Sequence, residues 1–281
     1  SALEVRPEGM AAYLIPPTGV QAFDFPFGLT AYGEFWLGSG EPAPLALDRL
    51  QRPPLLVPDP AQAAASGVFR TFEPAAETRK RFPILEWILR RDVGLGADDR
   101  ERSGETGWLN DGDSGSFAGW AHGETDGLEG LYLHFLGTGD PRAWQRARRQ
   151  ALHLREVCTW WANEESASQH PRGAGTHFAY RTDLGSFWST GLLYDYWLTG
   201  DRRSLAVAEA LSAEVLSRTG YLHYGGWDRG RILLHLAELY GATGRRVYRR
   251  SIEHYLEHPV PAETEIGAAG MAVSAFGETL E

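Results

Sequence analysis

The stretch WAHGETDGLEGLYLHFLGTGD, residues 120–140, decides the fold that this sequence predicts. In its second half, apolar side chains recur at helical spacing, and Gly139 follows where a helix commonly ends in a left-handed residue. Asp140 comes next, at a position where its side chain can cap a second helix. The segment therefore predicts a helix hairpin with Thr138-Gly139-Asp140 as its turn.

The same pattern returns twice further along the chain. GLLYDYWLTGDRR covers residues 191–203, and RILLHLAELYGATGRR covers residues 231–246 with Thr243-Gly244 in the turn. Because one hairpin cannot bury its own apolar face, similar hairpins are expected to stack and share a core. We therefore predict a mainly α fold, an incomplete or open (α/α) toroid of helix hairpins with a small N-terminal β-strand region.

The N-terminal part of the chain differs from the rest. Short apolar pieces at 11–15 and 29–37, bounded by Pro and Gly, are typical of strands, and the Pro-rich stretch 52–69 predicts an extended linker. Helical patterns follow. The sequence thus divides into a β-strand and linker region over 1–73, interpreted as the remnant of a β-sandwich, and an α/α toroid-like helical domain over 74–281.

Three further elements are predicted inside the helical domain. Residues 74–93 give one helix or two joined at Pro83, and residues 98–119 are too polar and too rich in Gly for regular structure. Residues 141–162 predict one amphipathic helix, whose buried seam is Trp144, Ala147, Ala151, Leu154 and Cys158.

Composition disfavours several classes of function. A formal net charge of -10 and a pI near 5.4 argue against nucleic acid as a partner, because phosphate binding needs a basic surface. No run of the roughly 18 to 20 apolar residues that cross a membrane is present, so no membrane partner is expected. The single cysteine, Cys158, rules out a disulfide framework and a Cys-based zinc site.

Two compositional features bear on the source of the protein. Lys80 is the single lysine among 27 basic residues, which indicates GC-rich, bacterial coding bias. No signal peptide is evident, which favours a soluble protein in the cytoplasm, although Ser1-Ala2 in place of an initiator Met indicates a processed start.

The long segments before the inner helices are expected to meet at one mouth of the stack. These segments, 108–126, 170–188 and 221–229, are rich in Trp, His, Arg and carboxylates. Indole rings can cover the apolar face of a sugar while charged groups bond its hydroxyls, so this mixture predicts a site for an oligo- or polysaccharide. The predicted catalytic residues are His177, Tyr180, His223, His122 and Glu124. The predicted substrate-binding residues are Trp120, Arg181, Trp188, Tyr224, Trp227, Asp228 and Arg229.

Some polar residues have a structural alternative. Glu124 and Asp126 can cap the helix that begins near Gly127, and for Asp126 the cap is the preferred interpretation. Three histidines within apolar helical runs are interpreted as structural: His134, His153 and His235. Tyr194, Tyr196 and Trp197 are assigned to the core for the same reason.

No cofactor or metal site is predicted, and calcium stays a minor alternative. A calcium loop that starts at Asp113 reaches Glu124 correctly, but Gly115 and Phe117 occupy ligand positions between them. The segment HYLEH, residues 254–258, matches an H-x-x-E-H zinc spacing without an evident third ligand.

A resemblance to a known family covers nearly the whole chain. Trp120-x-His122-x-Glu124-x-Asp126, followed by the apolar helix, its turn and Ala151-x-His153, resembles the helical domain of the exo-rhamnogalacturonan lyase-like proteins. FGLTAYGEFWL and PPLLVPDPAQAAASGVF, residues 27–37 and 53–69, are similar to the end of that family's β-sandwich and its linker. The resemblance implies a polysaccharide lyase on an (α/α) toroid. Family members are longer, so a missing domain or subunit is expected to complete the toroid.

The chemistry that this resemblance implies needs definite groups. Removing the proton beside a uronate carboxylate requires a cation or a neutral donor to stabilise the enolate-like intermediate, a base, and an acid for the leaving oxygen. Arginines would clamp the carboxylate, a histidine would act as base and a tyrosine as acid. The candidates are Arg181 or Arg229, His177 or His223, and Tyr180 or Tyr224.

Two other functions stay open. A glycoside hydrolase on a similar toroid would pair Glu124 with Asp111, Asp113 or Asp228. A non-catalytic glycan-binding or scaffold protein is the third possibility, favoured by the short chain.

Overall fold

A computed structural model describes a large part of the helical domain and short pieces of the N-terminal region. The described residues are 2–6, 9–13, 54–69, 72–84, 87–88, 113–116, 119–122, 126–163, 167–169, 188–217 and 226–257. Within these ranges the chain is mainly helical. The predicted strand at 29–37 lies outside them.

The helices follow one another in hairpins after two short N-terminal helices. They are α1 (Pro60–Ala65), α2 (Ala75–Arg81), α3 (Gly127–Thr138), α4 (Pro141–Glu156), α5 (Thr190–Thr199), α6 (Arg202–Ser217), α7 (Gly226–Thr243) and α8 (Arg246–Glu257). Among the described helices, none combines the length and the apolar character that a membrane crossing needs.

Short antiparallel strand pairs accompany the helices in the described ranges. They are β1 (Ala2–Arg6) with β2 (Gly9–Tyr13), β3 (Asp113–Ser116) with β4 (Gly119–His122), and β5 (Thr159–Trp161) with β6 (Ala167–Gln169). The strand predicted at 11–15 therefore corresponds in part to β2.

The three predicted hairpin turns are confirmed, and they share one geometry. Gly139, Gly200 and Gly244 have positive φ angles of 72°, 72° and 66°. In each turn the threonine hydroxyl donates to the carbonyl oxygen four residues earlier, at 2.5 to 2.6 Å. The same hydroxyl accepts the N–H group two residues later, at 3.0 to 3.3 Å. The threonine hydroxyl thus adds a second donor to a carbonyl of the last helical turn and accepts the first N–H group after the glycine.

Aspartates start the next helix in the first two hairpins. Asp140 accepts the backbone N–H of Arg142 at 2.9 Å, and Asp201 accepts that of Arg203 at 3.1 Å. In both cases the same arginine also bonds the carboxylate with its guanidinium group. The predicted cap at Asp140 is therefore confirmed.

Neighbouring hairpins stack through two apolar clusters. Helices α3, α5 and α7 contact one another in sequence, and each also contacts the helix that follows it in its hairpin. The first cluster lies among α3, α4, α5 and α6, and its largest members are Leu128, Tyr132, Phe135, Leu154, Leu192, Tyr194 and Leu211. The second lies among α5, α6, α7 and α8, with Leu193, Val215, Ile232, Leu236, Leu239, Tyr248 and Tyr255. Trp197 contacts both clusters, which joins them into a continuous core.

The predicted seam of α4 is confirmed. Ala147, Ala151, Leu154 and Cys158 are buried in the first cluster, and Trp144 packs against it. Cys158 is a core residue, as its position in an apolar run predicts.

The structure corrects three predictions. The linker predicted as extended contains α1, because Asp59 caps it by accepting the N–H of Gln62 at 2.9 Å and Pro60 suits a first helical position. The helix predicted over 141–162 ends at Glu156, where the Thr159 hydroxyl takes up the Leu154 carbonyl at 2.7 Å and β5 begins. The segment predicted as irregular contains β3, paired with β4.

Candidate functional site where the inner helices begin

The predicted site residues fall into three groups. Trp188 and Arg229 are described with their side chains, whereas Trp120 and His122 in β4 and Trp227 and Asp228 in the first turn of α7 are described by their backbone. Six predicted residues lie outside the described part of the chain: Glu124, His177, Tyr180, Arg181, His223 and Tyr224.

Asp126 joins the starts of α3 and α5. Its carboxylate accepts the N–H of Glu129 at 3.3 Å, which caps α3 as predicted. It also accepts the N–H groups of Thr190 at 3.0 Å and Gly191 at 3.2 Å, in the first turn of α5. One buried carboxylate therefore serves two helices, and the chain enters both of them at the same place.

Gly191 allows this close approach. A Cβ atom at this position would lie 2.6 Å from the Cβ atom of Leu128 and 2.7 Å from Oδ1 of Asp126. Any larger residue would push α5 away from α3, so the contact that shapes the site requires glycine here.

The middle of α7 lies beside the start of α5. Thr190 donates its hydroxyl to Glu238 at 2.6 Å, and the hydroxyl of Ser189 is hydrogen-bonded to Nδ1 of His235. Burial, and then the nearby charge of Arg231, lower the pKa of His235 to about 3. The imidazole is therefore neutral at ordinary pH, which agrees with the structural role predicted for it.

Trp188 supports an arginine at the same place. Its backbone N–H donates to Oε1 of Gln169 at 2.6 Å, and its carbonyl accepts Nε2 of Gln169 at 3.2 Å. The ring is buried, with 2% of its surface exposed, and the guanidinium carbon of Arg231 lies 3.7 Å from the ring centroid. Arg231 thus covers a face of the indole that the sequence predicted as a sugar platform.

We call these residues the helix-start cluster: Asp126, Trp188, Ser189, Thr190, Arg231, His235 and Glu238. The sequence predicted Trp188 as a substrate-binding residue, Asp126 as a helix cap and His235 as a structural histidine. It did not indicate the other four members: Ser189, Thr190, Arg231 and Glu238. A signal was available, because residues 231, 235 and 238 recur at helical spacing within an apolar run and so mark one polar, half-buried face of α7.

Arg229 faces another helix. Its guanidinium group donates to the backbone carbonyl of Tyr255 near the end of α8, and its guanidinium carbon lies 5.9 Å from the Tyr255 ring centroid. Burial lowers its pKa. This arginine therefore stabilises the α7–α8 hairpin, a role that the sequence did not predict.

A second polar cluster lies between α4 and the turn after α5. Asp195 accepts the hydroxyls of Tyr132 and Ser204 and is paired with Arg148, while Arg155 bonds Asp201 at 2.6 Å. Burial, and next the charge of Asp195, raise the pKa of Tyr132 well above its usual value. The charges in this cluster are paired with one another, so it serves the packing of the hairpins.

The metal alternatives gain no geometric support in the described residues. Asp113 lies in β3 opposite His122 of β4, and the described ranges hold no group of three or more His, Cys, Asp or Glu side chains that could bind a metal ion. Of the HYLEH segment, residues 254–257 lie in α8 and His258 lies outside the described ranges.

No family model, curated protein or solved structure matches the chain.

Proposed function

We propose that this protein is a carbohydrate-active enzyme, a polysaccharide lyase that cleaves a uronate-containing, rhamnogalacturonan-like glycan by β-elimination. The observation that carries the proposal is that the chain at the start of α5 contacts both the start of α3 and the body of α7. Asp126 bonds the start of α5, and Trp188, just before α5, contacts Arg231. Arg231 lies five residues into α7, about 7.5 Å along the helix from its first residue.

These contacts support a shared site for the three preceding segments. The chain enters α3 and α5 at the same place, and α7 passes beside it, so we infer that the segments before these helices can reach a common site. These segments carry His122 and Glu124, His177 to Arg181, and His223 with Tyr224. Imidazole, phenol and guanidinium groups together provide the base, acid and cation that β-elimination needs.

The proposed reaction proceeds in one balanced sequence. His177 or His223 removes the proton from the carbon beside the uronate carboxylate, and the electron pair left behind forms a carbon–carbon double bond. The bond between the next carbon and the glycosidic oxygen breaks. Tyr180 or Tyr224 gives a proton to that oxygen, and Arg181 stabilises the charge on the carboxylate.

The test is cleavage of polygalacturonate and rhamnogalacturonan, followed by the ultraviolet absorbance of the unsaturated uronate product. Because general base catalysis contributes roughly 10²–10⁴-fold, replacing the correct histidine with alanine should lower kcat by about that factor. His177→Ala, His223→Ala and the double variant are compared with His254→Ala, which changes an exposed histidine of α8. An undiminished rate in the double variant rejects the assignment.

The products separate the alternatives. New reducing ends without an unsaturated product indicate a glycoside hydrolase, in which Glu124 and one of Asp111, Asp113 or Asp228 would form the pair. Glycan binding without any cleavage, unchanged in the histidine variants, indicates a non-catalytic binding or scaffold protein.

We also propose that the stacked hairpins belong to an open (α/α) toroid that another domain or subunit completes. In support, α8 exposes apolar side chains, with Val247 41% and Leu256 55% exposed. Substituting both with serine should leave the stability of the chain nearly unchanged, because neither side chain is in the core, and should weaken any self-association seen by light scattering.

A further inference from the structure

A polar hollow lies beside the first hairpin turn, at the end of α3. Its volume is about 320 Å³, and four described residues line it: His134, Thr138, Asp140 and Arg142. Small-molecule sites in proteins span roughly 300–1,000 Å³, so the hollow has room for one sugar ring. Because α3 has 12 residues, its two ends are about 18 Å apart. The hollow is therefore separate from the helix-start cluster.

The Asp140 carboxylate keeps an acceptor position that its counterpart in the second turn uses. Oδ1 of Asp140 accepts the backbone N–H and Nε of Arg142, at 2.9 and 3.1 Å, and Oδ2 accepts Nη2 at 2.8 Å. Asp201 binds Arg203 through the same three contacts, and its Oδ2 also accepts Nη1 of Arg155 at 2.6 Å. A carboxylate offers about four such positions. In the described part of the chain, no group bonds the fourth position of Asp140.

This carboxylate is preformed as an acceptor for a ligand in the hollow. The Asp140 side chain is 18% exposed there. Hydrogen bonds from the Arg142 side chain lower the pKa of Asp140, so the carboxylate is ionised at neutral pH. The Thr138 hydroxyl bonds the His134 carbonyl and the Asp140 N–H group, which fixes the turn. A ligand can therefore donate a hydrogen bond to Oδ2 without reordering the protein.

The surroundings favour a hydroxyl group over a second guanidinium group. At the second turn, Arg155 also lies 3.8 Å from Asp195 and 3.1 Å from the Ser204 hydroxyl. The first hairpin has His134 and Ala143 at the corresponding distances from its turn glycine. A guanidinium group has five N–H donors and would lose two of the three oxygen-bearing side chains that hold Arg155. A hydroxyl group needs fewer partners and can both donate and accept.

We propose that this hollow is a second glycan site, which binds one neutral sugar unit through a hydrogen bond from a hydroxyl group to Asp140. The inference rests on the proposed function for the class of ligand and does not depend on cleavage. A neutral unit is expected because a uronate would bring a second negative charge close to the carboxylate. Holding one unit of a polymer here would raise the local concentration of the other units at the helix starts.

The experiment follows the backbone amide signals of Gly139 and Gly200 by heteronuclear NMR while methyl galactopyranoside is added. The two glycines share a φ angle of 72°, but Arg155 already bonds the second turn, so Gly200 is an internal control. The Gly139 signal should shift with a Kd of roughly 1 mM, a weak affinity expected for one sugar unit, and the Gly200 signal should not. The corresponding methyl galactopyranosiduronate, which differs at its sixth carbon alone, should bind about tenfold more weakly.

Asp140→Asn should weaken the binding seen at Gly139 by about tenfold, because a hydrogen bond to a charged group is lost. Asparagine still caps a helix, so the variant should stay folded. Asp59→Asn is the matched control. Asp59 caps α1 by the same kind of bond and is not among the residues that line the hollow, so this variant should keep the affinity of the wild type.

Three results overturn the inference: no shift at Gly139, equal shifts at Gly139 and Gly200, or unchanged binding in Asp140→Asn. A Gly139 signal that responds to methylguanidinium and not to the sugar also overturns it, and would assign the hollow to an arginine of a partner protein.

Cleavage of polygalacturonate, measured alongside, separates this inference from the proposed function. If the wild type cleaves the polymer but Gly139 does not respond to the sugar, the lyase stands and the second site is rejected. If Gly139 responds in a way that depends on Asp140 but the polymer stays intact, the second site stands and the lyase is rejected.

Discussion

Replacing Asp195 with asparagine is the sharpest test of how the hairpins are joined. The residue is completely buried, and its carboxylate receives the hydroxyls of Tyr132 and Ser204 and the guanidinium group of Arg148. Asparagine keeps the shape and removes the charge. Arg148 would then keep a more distant partner, Asp201, at 3.8 Å.

The expected cost follows from this loss of pairing. Breaking a buried ion pair by changing one partner costs roughly 3–5 kcal/mol. The Arg148 side chain is 32% exposed and can turn toward water, so a loss near the lower end, about 3 kcal/mol, is expected. Asp140→Asn is the matched control, because Asp140 pairs with an Arg142 side chain that is 66% exposed, and asparagine caps a helix as well as aspartate does.

Urea unfolding followed by circular dichroism measures both variants. A lower midpoint with an unchanged slope would report a true loss of stability rather than a change in the denatured state. Asp140→Asn should stay within about 1 kcal/mol of the wild type, as exposed ion pairs contribute little. If Asp195→Asn also stays within about 1 kcal/mol, the idea that this buried charge holds α4 against α5 and α6 is refuted.

Three further changes probe other parts of the fold by the same assay. The pKa of His235 is about 3 in the folded protein and near 6.5 in the unfolded chain, so the free energy of unfolding should be highest above pH 6.5 and should fall as the pH drops toward 3. His235→Gln should make the free energy of unfolding less dependent on pH in this range. An unaltered pH profile would contradict the buried, neutral state of this histidine. Gly200→Ala should lower the free energy of unfolding by about 1–2 kcal/mol, because its φ angle of 72° is unfavourable for alanine. No atom lies within 4 Å of the new methyl group, so the loss would come from the backbone alone. An unchanged stability would show that the turn can adopt another conformation. Gly191→Ala should cost more than Gly200→Ala, since its methyl group would meet Leu128 at 2.6 Å; the opposite order would contradict the close approach of α5 to α3.

The hairpin turns could be predicted because their causes are local. Thr138, Gly139 and Asp140 bond to groups within four residues, so the sequence of the turn contains every partner that its geometry needs. The apolar spacing of the helices is equally local. The stacking of hairpins then followed from the need to cover the faces that one hairpin leaves exposed.

The end of α4 could not be predicted in the same way. The apolar spacing continues through Cys158 to Trp161, and nothing local forbids another helical turn there. The helix ends before Thr159 because residues 159–161 form strand β5, which pairs with β6 six residues further along the chain. A competing partner outside the segment overrides a local helical pattern.

The helix-start cluster was predictable in its location and not in its members. The sequence suggested that segments before the inner helices meet, and it identified Asp126 as a cap. It held no signal that the same carboxylate also caps a helix 64 residues later, because that bond depends on how closely α3 and α5 pack. Gly191 was the nearest available hint, as a glycine in the first turn of an apolar helix is costly unless another element approaches it.

The construction of this cluster bears on how the proposed site would work. Asp126, Ser189 and Thr190 link α3, α5 and α7 by bonds between described elements of the stack. A frame fixed in this way holds the helices in place before any glycan arrives, and a preorganised site is more effective than one that must be ordered on binding. Changes to His177 or His223 should therefore act on kcat with the affinity for the glycan retained.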